Sequence, residues 1–388
     1  MSLRPYFADM HIHIGRDMNN KPVKITGSKT LTLTNILKES SRNKGIDLIG
    51  VIDCHVPTVQ EEIKNLLQSG EAKELKEGGI QFEHVTLILG SEIEIYDENC
   101  QGPIHVLCFL PTLSHMQQFT AWLSTKMTNI HLSSQRFYGT ARELQFKVKE
   151  LEGLFIPAHV FTPFKSVYGK GVKRSLAEVF DTDLIDAIEL GLSSDTSMAD
   201  QISELHMYTF LSNSDAHSLA KIAREYQKVQ MQEVSFKEFE WALHQVKDRK
   251  IIENFGMNPV LGKYHTTVCK NCLEPINESE ACDKCSSTKI IKGVADRIHE
   301  LKDDTENPKQ RPPYINQVPL EYIPKLGPKT FHKLLEHFGT EMRVIHEIPA
   351  KELRQIVSEP IVDAIIKMRK GLLTFKSGGG GRYGKVGE

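Results

Sequence analysis

The sequence has no apolar run that approaches the roughly 20 residues needed to cross a bilayer, and its first residues, MSLRPYFADM, lack a signal peptide. It also has no repeat of solenoid length. These absences argue against a membrane protein, a secreted protein and a repeat array, and they predict a cytoplasmic protein. The 388 residues, 40% hydrophobic and 25% charged, are enough for two or three globular domains.

The sequence carries little net charge, −2, but the charge is unevenly distributed. Residues 1–260 carry 27 Lys and Arg against 33 Asp and Glu, whereas residues 261–388 carry 21 against 17. From Ile365 onward, six basic residues stand against one Glu. An acidic half suits bound cations, and a basic C-terminal end suits a polyanion. A solvated helix end and tail would explain the basic segment equally well.

Cysteine is scarce outside one cluster. Four of the seven cysteines form two CxxC pairs separated by nine residues: Cys269, Cys272, Cys282 and Cys285. Without a secretion signal, this spacing favours a metal over disulfides. We therefore predict a structural Zn²⁺ in a four-cysteine zinc ribbon, in preference to redox-active thiols or free core cysteines.

Histidines and carboxylates recur at the ends of apolar runs. Up to about Pro259, short β-branched runs alternate with helical patterns, which is typical of βα units and a parallel sheet. In a parallel barrel these strand ends would converge at one mouth, whereas an open sheet would spread them along a line. The candidates are Asp9, His11, His13, Asp53, His55, Glu92, His105, His159, Glu189, Asp215 and His217.

Several divalent ions held by mixed His, Asp and Glu typically hydrolyse phosphate esters. Mixed nitrogen and oxygen ligands favour Zn²⁺ or Mn²⁺, and Mg²⁺ alone fits less well. Ions about 3.5–4 Å apart can lower the pKa of a shared water, so that hydroxide attacks phosphorus in line. We predict Asp215 and Glu92 as bridging or water-orienting carboxylates, and His217 or His159 as the proton donor to the leaving group.

The order DMHIH, DxH, GSE, H, PAH and SDAH over about residues 1–255 resembles the PHP (polymerase and histidinol phosphatase) domain. The resemblance implies a distorted (β/α)7 barrel, of class α/β, that holds two or three metal ions. It assigns as metal ligands, by position, His11, His13, Asp53 or His55, Glu92, His105, His159, Asp215 and His217. The family's second motif usually reads Asp-His, and here Cys54 intervenes, so Asp53 and His55 are alternatives. Asp17 could take one further position.

Residues 318–340 resemble a helix-hairpin-helix unit, in which a glycine-bearing turn directs backbone N–H groups at a DNA phosphate. Gly327 would lie in that turn, with Lys325 and Lys329 on either side. An ordinary small helical bundle is the alternative. We predict a barrel over 1–260, a zinc ribbon over 261–295, a linker over 296–317, and a helical DNA-binding domain with a basic glycine-rich tail over 318–388.

Aromatic and basic residues cluster in the barrel loops 133–140 and 159–174. The second loop follows His159 and should overhang the metals. Its aromatic residues would stack on an extruded base while its basic residues hold phosphate, or the same residues pack the loop. The predicted DNA contacts here are Phe161, Phe164, Lys165, Tyr168, Lys170, Lys173 and Arg174.

A PHP barrel followed by a zinc ribbon, a hairpin-like helical domain and a basic tail is similar to the endonuclease Q family, as are KPVKITGSKTLTL and GPIHVLCFLP. The resemblance implies a DNA repair endonuclease that cuts damaged duplex or single-stranded DNA. The cut lies 5′ of deaminated bases (uracil, hypoxanthine, xanthine) or abasic sites. Two alternatives are a small-molecule phosphatase of the histidinol-phosphate type and a non-catalytic DNA-binding subunit. The ribbon and basic C-terminus disfavour the first, and the near-complete ligand set disfavours the second.

Overall fold

The computed structural model describes residues 2–262, 264–276, 281–303, 310–376 and 385–386, with the backbone alone at 375–376 and 385–386. Three predicted features lie partly outside these residues: the zinc ribbon at 263 and 277–280, the middle of the linker at 304–309, and most of the glycine-rich tail at 377–384 and 387–388. None of the described helices has the length and apolar character needed to cross a membrane.

Short strands and helices make up the described chain. The strands are β1 (Arg4–Ile12), β2 (Leu48–Val51), β3 (Ala72–Glu74), β4 (Ile80–Phe82), β5 (Val85–Ile95), β6 (Ile104–Leu110), β7 (Arg136–Phe137), β8 (Leu154–Pro157), β9 (Ala187–Glu189), β10 (Thr209–Leu211), β11 (Tyr226–Met231), β12 (Lys250–Gly256), β13 (Val268–Cys269), β14 (Ile290–Ile291), β15 (Tyr314–Asn316), β16 (Phe375–Lys376) and β17 (Lys385–Val386). The α-helices are α1 (Leu33–Lys38), α2 (Pro57–Ser69), α3 (Leu113–Leu123), α4 (Ala141–Glu150), α5 (Thr196–Ala199), α6 (Phe236–Leu243), α7 (Val294–Leu301), α8 (Pro328–Phe338), α9 (Glu341–His346), α10 (Ala350–Ile356) and α11 (Glu359–Arg369).

Seven of these strands form a closed barrel. β1, β2 and β5 pair in parallel, β6 lies antiparallel between β5 and β8, and β9 pairs in parallel with β10. The ring closes where the Asp186 N–H donates to the Phe155 carbonyl (3.0 Å) and where the Ala216 N–H donates to the His11 carbonyl (3.1 Å). An apolar cluster takes residues from all seven strands and fills the interior. The predicted seven-stranded α/β barrel is therefore confirmed.

The expectation that the barrel strands all run parallel was wrong for β6. β5 and β6 are joined by residues 96–103, so β6 returns in the opposite direction. His105 therefore lies near the start of its strand, not after its end. The reversal brings His105 to the barrel end where the parallel strands finish. A fully buried strand shows the same apolar run in either direction, so the pattern could not reveal this.

The other end of the barrel is closed by α6. Thr86, at the start of β5, donates from Oγ1 to the Val234 carbonyl at 3.0 Å just before this helix begins. Inside the barrel, a Cβ added to Gly50 or Gly90 would stand 2.8 Å from Cε1 of Phe109. These two strand positions need glycine because the aromatic ring occupies the space, and at Gly50 the Met10 carbonyl oxygen would also lie only 2.5 Å away. The mouth with the ligand candidates is thus the open end.

The C-terminal helices pack on the outer side of β1 and β11. The rings of Phe7 and His346 stack with centroids 4.7 Å apart, and the Tyr226 hydroxyl is hydrogen-bonded to His346 Nε2 at 2.6 Å. Lys44 and Glu341 form a buried ion pair at 2.6 Å. The predicted helical unit is present, and its apolar core is continuous with the layer outside the barrel.

The segment predicted as a linker, 296–317, includes most of α7 and all of β15. β15 pairs in parallel with β12, so it extends the sheet beyond the barrel. On α7, Arg297 donates from Nε to the Tyr168 carbonyl at 2.8 Å. Both described parts of this segment therefore pack against residues 1–260. The residue boundaries of the four predicted domains stay a prediction.

Candidate metal centre at the barrel mouth

Seven of the predicted ligands meet at the barrel mouth. Among the described residues, their nitrogen and oxygen atoms form three groups in which the ligand atoms lie within 4.8 Å of one another. The groups are His11, His13 and Glu92; His13, Asp215 and His217; and Glu92, His105 and His159. His13 and Glu92 each belong to two groups, so the three potential metal positions are adjacent.

Two carboxylates face the same pair of imidazole nitrogens. His11 Nε2 lies 3.6 Å from Glu92 Oε1 and 3.5 Å from Asp215 Oδ1. His13 Nε2 lies 3.6 Å from an oxygen of each of the same two acids. These separations are too long for hydrogen bonds. Ligand atoms about 2.1 Å from one tetrahedral ion would be about 3.4 Å apart. His11 Nε2 is buried without a hydrogen-bond partner, so the residues fit a bound cation.

Glu189 and Asp53 orient His11 and His13 by bonding the ring nitrogens that do not face Glu92 and Asp215. His11 donates from Nδ1 to Glu189 Oε1 at 2.8 Å, and His13 donates from Nδ1 to Asp53 Oδ2 at 3.2 Å. With Nδ1 protonated, Nε2 of a neutral ring carries the lone pair that a metal would use. Glu189 also accepts from the His159 N–H at 2.8 Å, so one carboxylate positions two ligand candidates.

Asp53 and His55 lie behind the three groups. Asp53 Oδ2 accepts from the Ile14 N–H at 2.7 Å in addition to its bond from His13. Both nitrogens of His55 are engaged, since Nε2 donates to the Leu132 carbonyl (3.3 Å) and Nδ1 accepts from Ser91 Oγ (2.8 Å). The structure does not bring either residue into the groups, and a ligand role for them stays a prediction.

Two other acids named from the sequence hold backbone groups. Asp9 is buried and accepts from the N–H groups of Ser214 (3.0 Å) and Ala223 (2.8 Å). Asp17 accepts from the Lys21 N–H at 2.8 Å in the loop after β1. Asp9 therefore fixes the loop that carries Asp215, while Asp17 lies outside the three groups.

The backbone is strained at two ligand candidates. His159 has φ of 31° and Asp215 has φ of 44°, in the left-handed region that costs energy for any residue other than glycine. Gly191 passes so close that a Cβ there would stand 2.8 Å from His159 Cβ. Arg224 donates to the Asp215 carbonyl at 3.2 Å. These contacts hold both side chains toward the mouth.

The electrostatics of the mouth favour cations. Burial raises the pKa of Glu92, but the charges of His105 and Lys24 and the hydrogen bonds from His105 and His159 together outweigh it and hold the pKa well below its ordinary value. At Asp215, burial is likewise outweighed, chiefly by His11, and the pKa is again well below normal. Burial lowers the pKa of His11, yet Glu189 and Asp215 together raise it to about 10. A buried imidazole held this basic reports a strongly negative potential.

Lys24 is a residue of the mouth that sequence reasoning missed. Its Nζ donates to Glu92 Oε2 at 3.2 Å and to Ser134 Oγ at 2.6 Å, and the Ser134 hydroxyl donates to Glu92. Lys24 lies in the loop between β1 and α1, where no strand-end pattern draws attention to it. The signal that could have found it is its position in KPVKITG, soon after the HxH strand.

A cavity of about 440 Å³ opens beside the metal centre. The residues that line it include His159, Asp215, His217, Lys221 and Tyr264. The mouth therefore has room for a substrate group next to the ligand candidates.

The predicted DNA-contacting residues of loop 159–174 divide into two sets. Phe161 and Tyr168 are buried and stack on each other with ring centroids 5.3 Å apart, so the expectation that they stack on a base was wrong. Tyr168 also donates from its hydroxyl to Glu204 at 2.7 Å. They pack the loop, the alternative that the sequence left open. The remaining set, which is at least partly exposed, is Phe164, Lys165, Lys170, Lys173 and Arg174.

Two members of this remaining set have contacts at the rim. Phe164 meets the ring of Tyr264 edge-on at 5.5 Å, which places it beside the cavity. Lys165 forms an ion pair with Glu94 at 2.8 Å. Their contact with DNA stays a prediction.

The cysteine quartet converges as the spacing predicts. The sulfur atoms of Cys269, Cys272, Cys282 and Cys285 lie within 4.8 Å of one another. Backbone N–H groups of Cys272 and Asn271 lower the pKa of Cys269 to about 6, which favours the thiolate that a metal requires. β13 and β14 pair antiparallel within this unit. The predicted ribbon geometry is confirmed.

The predicted hairpin turn lies before α8. Gly327 caps the helix in an extended conformation, Pro328 occupies the first turn, and Lys325 has φ of 69°. Lys325, Gly327 and Lys329 are all exposed. The turn is therefore accessible, and its contact with DNA stays a prediction.

Comparison with known proteins places the chain in a family. No family model matches it. It is 54% identical to the uncharacterized protein YqxK of Bacillus subtilis (strain 168), over 99% of this chain and 100% of that one. The crystal structure of the lesion-specific endonuclease PfuEndoQ from Pyrococcus furiosus matches with TM-score 0.84 and 34% identity, over 99% of this chain and 95% of that one.

A second crystal structure, of an endonuclease Q in complex with a 27-mer duplex substrate with an abasic lesion at the active site, matches with TM-score 0.84 and 33% identity. The match covers 99% of this chain and 96% of that one. The barrel and its histidine–carboxylate mouth define a metal-dependent phosphoesterase. The chain belongs to the endonuclease Q family. The predicted family and the predicted class of metal-dependent nuclease are thereby confirmed.

Proposed function

We propose that this protein is a DNA repair endonuclease that hydrolyses the phosphodiester 5′ of a deaminated base (uracil, hypoxanthine or xanthine) or an abasic site. The observation that carries the proposal is the mouth, where three adjacent ligand groups lie beside a cavity of about 440 Å³. Similarity over nearly the whole chain to an endonuclease Q bound to an abasic duplex supports the substrate class. The cytoplasmic location predicted from the sequence belongs with this proposal.

The mouth would hold two or three divalent cations. Glu92 and Asp215 are the proposed bridging carboxylates, because each has oxygen 3.5–3.6 Å from Nε2 of both His11 and His13. The mixed nitrogen and oxygen donors suit Zn²⁺ or Mn²⁺ better than Mg²⁺ alone. When bound, such cations activate water as a nucleophile and neutralise charge on the phosphate.

Side chains at the mouth would position the substrate phosphate and donate a proton to the leaving oxygen. His217 is partly exposed at the cavity, 3.2 Å from Asp215 Oδ1 through Nε2 and 3.2 Å from Thr26 Oγ1 through Nδ1. It is the proposed proton donor to the leaving oxygen, with His159, which also lines the cavity, as the alternative. Lys24 adds a fixed positive charge that would attract the phosphate.

The cavity is the proposed receptor for a nucleotide flipped out of the duplex. A damaged or mispaired base costs less to extrude, so a pocket beside the cutting site favours lesions. Tyr264 lines it with an aromatic ring that Phe164 meets edge-on, and Lys221 adds a cation. The proposed backbone contacts are Lys165, Lys170, Lys173, Arg174, Lys325, Gly327 and Lys329. The cysteine quartet is proposed to hold a structural Zn²⁺ that stabilises the fold of the C-terminal part of the chain.

Cleavage of defined duplexes tests the proposal. Protein stripped of metal and then supplied with Mn²⁺, Mg²⁺ or Zn²⁺ is incubated with duplexes that contain one uracil, hypoxanthine, abasic site or normal base. We expect a single cut 5′ of the lesion. His13→Ala should reduce the rate by more than about a hundredfold, since it removes a ligand shared by two groups. His299→Ala, an exposed histidine on α7, is the matched control.

Other outcomes separate the alternatives. Equal cutting of normal duplex would remove lesion specificity, and turnover of a small phosphomonoester without DNA cleavage would indicate a phosphatase. The full chain is used throughout. Removal of residues 261–388 would expose Phe7 and Tyr226, which pack against His346, and so would not test DNA affinity cleanly.

A further inference from the structure

An exposed pair of tyrosines encloses an arginine at the rim of the barrel. The Arg136 guanidinium carbon lies 5.0 Å from the ring centroid of Tyr96 and 5.3 Å from that of Tyr138. Arg136 also donates to the Tyr96 carbonyl at 2.7 Å, which holds the guanidinium between the rings. Tyr96 is 40% exposed and Tyr138 is 57% exposed. We call these three residues the tyrosine–arginine platform.

The platform lies at the C-terminal ends of two neighbouring strands, β5 and β7. Tyr96 directly follows β5, Arg136 lies in β7, and Tyr138 directly follows β7. Along β5, Glu92 is buried in the mouth, Glu94 is partly buried, and Tyr96 is exposed. Alternate residues of a strand share a face, so these three side chains form one row from the mouth to the surface. Four strand residues span about 13 Å.

A second row runs beside the first. Ser134 donates to Glu92 in the mouth, Arg136 pairs in register with Glu94, and Tyr138 follows two residues later. Both rows therefore lead from the same carboxylate to the platform. The platform therefore lies about 13 Å along the strand from Glu92, within reach of a DNA strand that continues from the metal centre.

The rings of Tyr96 and Tyr138 lie at the surface and are not part of the apolar core. Phe137, between Arg136 and Tyr138, is buried and supplies the apolar anchor of this segment. A groove of about 560 Å³ runs past the platform, and Asp97 and Glu98 also line it. Asp97 is engaged with the chain, because its carboxylate accepts from the N–H groups of Asn99 (2.9 Å) and Ala141 (2.8 Å). Aromatic faces beside a cation are the recurring arrangement for unpaired nucleotides.

We propose that the tyrosine–arginine platform binds a locally unpaired stretch of the DNA strand that continues from the scissile phosphodiester. A base would stack on Tyr138, and Arg136 would contact a phosphate. This inference rests on the proposed function, because it extends the path of the same substrate. It assigns DNA contact to loop 133–140, in addition to the loop that carries Lys170 and Arg174.

Single-turnover cleavage of a lesion duplex at increasing enzyme concentration tests the platform. The half-saturation constant should rise about tenfold in Tyr138→Ala and in Arg136→Ala, equivalent to about 1.4 kcal/mol. The maximal rate should not change, because the platform touches none of the ligand groups. Phe146→Ala is the control for loss of an exposed aromatic ring, and Arg42→Ala is the control for loss of an exposed arginine.

The salt dependence of binding distinguishes a phosphate contact by Arg136 from base stacking on Tyr138. Arg136→Ala should reduce the slope of log affinity against log salt by about one, since one phosphate contact is lost. Tyr138→Ala should weaken binding equally at every salt concentration. If the wild type cuts the lesion duplex and both platform variants match the two controls, the platform proposal is wrong. If the wild type cuts no duplex at all, the proposed function itself fails.

Discussion

His11 donates from Nδ1 to Glu189 Oε1 at 2.8 Å, below the floor of the barrel mouth. The two residues come from strands that are far apart in sequence, β1 and β9, and both are buried. The bond fixes which ring nitrogen of His11 faces Glu92 and Asp215. A carboxylate behind a histidine ligand typically contributes a factor of about 10–100 in metal affinity.

Glu189→Gln should therefore weaken metal binding by about 10- to 100-fold. The amide still accepts a bond from His11, but it no longer strengthens the basicity of the imidazole. Titration of the metal-stripped protein with Mn²⁺ or Zn²⁺ measures the effect. Glu253→Gln, a surface acid paired with Lys228, is the control. Unchanged affinity in Glu189→Gln would show that the bond has no part in metal binding.

Asp53 and His55 should respond differently to substitution. Asp53→Asn should lower metal occupancy, because the carboxylate positions His13. His55→Gln should lower the thermal midpoint and leave occupancy near that of the wild type, since both of its nitrogens bond to protein atoms. Metal analysis by mass spectrometry, together with thermal melts, measures both. A loss of metal in His55→Gln alone would reverse this assignment.

Cys272→Ser should remove about one equivalent of bound Zn²⁺ and lower the thermal midpoint of the C-terminal half. A structural zinc contributes directly to folding, so losing one of four thiolates should destabilise the ribbon. Cys100→Ser changes a buried thiol outside the quartet and should retain the full metal content. Zinc released to a chromogenic chelator is the measurement. Equal zinc in both variants would contradict the closed four-cysteine site.

Lys44 and Glu341 should contribute strongly to the attachment of the C-terminal helices. Both side chains are buried, with Nζ and Oε2 2.6 Å apart. Lys44→Met alone should lower the free energy of unfolding by about 3–5 kcal/mol, because it leaves an unpaired buried charge. The double variant with Glu341→Leu should recover most of that loss. Urea unfolding of the two single variants and the double variant measures the coupling, and simple additivity would argue against it.

His346 should make this attachment sensitive to acid. Burial, together with the charges of Lys228 and Arg369, lowers its pKa from 6.5 to about 3. The folded pKa is depressed, so the unfolded chain binds the proton more readily below about pH 6.5. The contribution is fully present above about pH 6.5 and is lost as the pH falls toward about 3.

Between about pH 7 and about pH 5 this titration should cost about 2 kcal/mol of unfolding free energy. His346→Phe keeps a ring against Phe7 and removes the titration. The difference between wild type and variant in urea midpoint should therefore change between the two pH values. His299→Phe, at an exposed position, should show no such change. A constant difference for His346→Phe would contradict the prediction.

Much of the fold and site follows from local patterns in the sequence. The strand ends predicted His11, His13, Glu92, His159 and Asp215 as neighbours, and the structure brings them together. The CxxC spacing predicted the cysteine quartet. Both predictions rest on short segments whose geometry is nearly independent of the rest of the chain: a strand end, or a turn between two thiols.

Other features depend on partners that are distant in sequence. The buried run of β6 gave no sign of its direction, and loop 159–174 gave no sign that Phe161 and Tyr168 would face inward. Lys24 enters the mouth from an ordinary polar loop.

The amino-acid sequence by itself determined which residue types could bind metal and at which strand ends they stand. The tertiary structure alone decided which of them meet. It turned His11 and His13 toward Glu92 and Asp215, and it gave His55 protein partners on both nitrogens. The physical reason is that periodicity reports the face and burial of a side chain, whereas ligand geometry depends on which other strands and loops supply its hydrogen-bond partners.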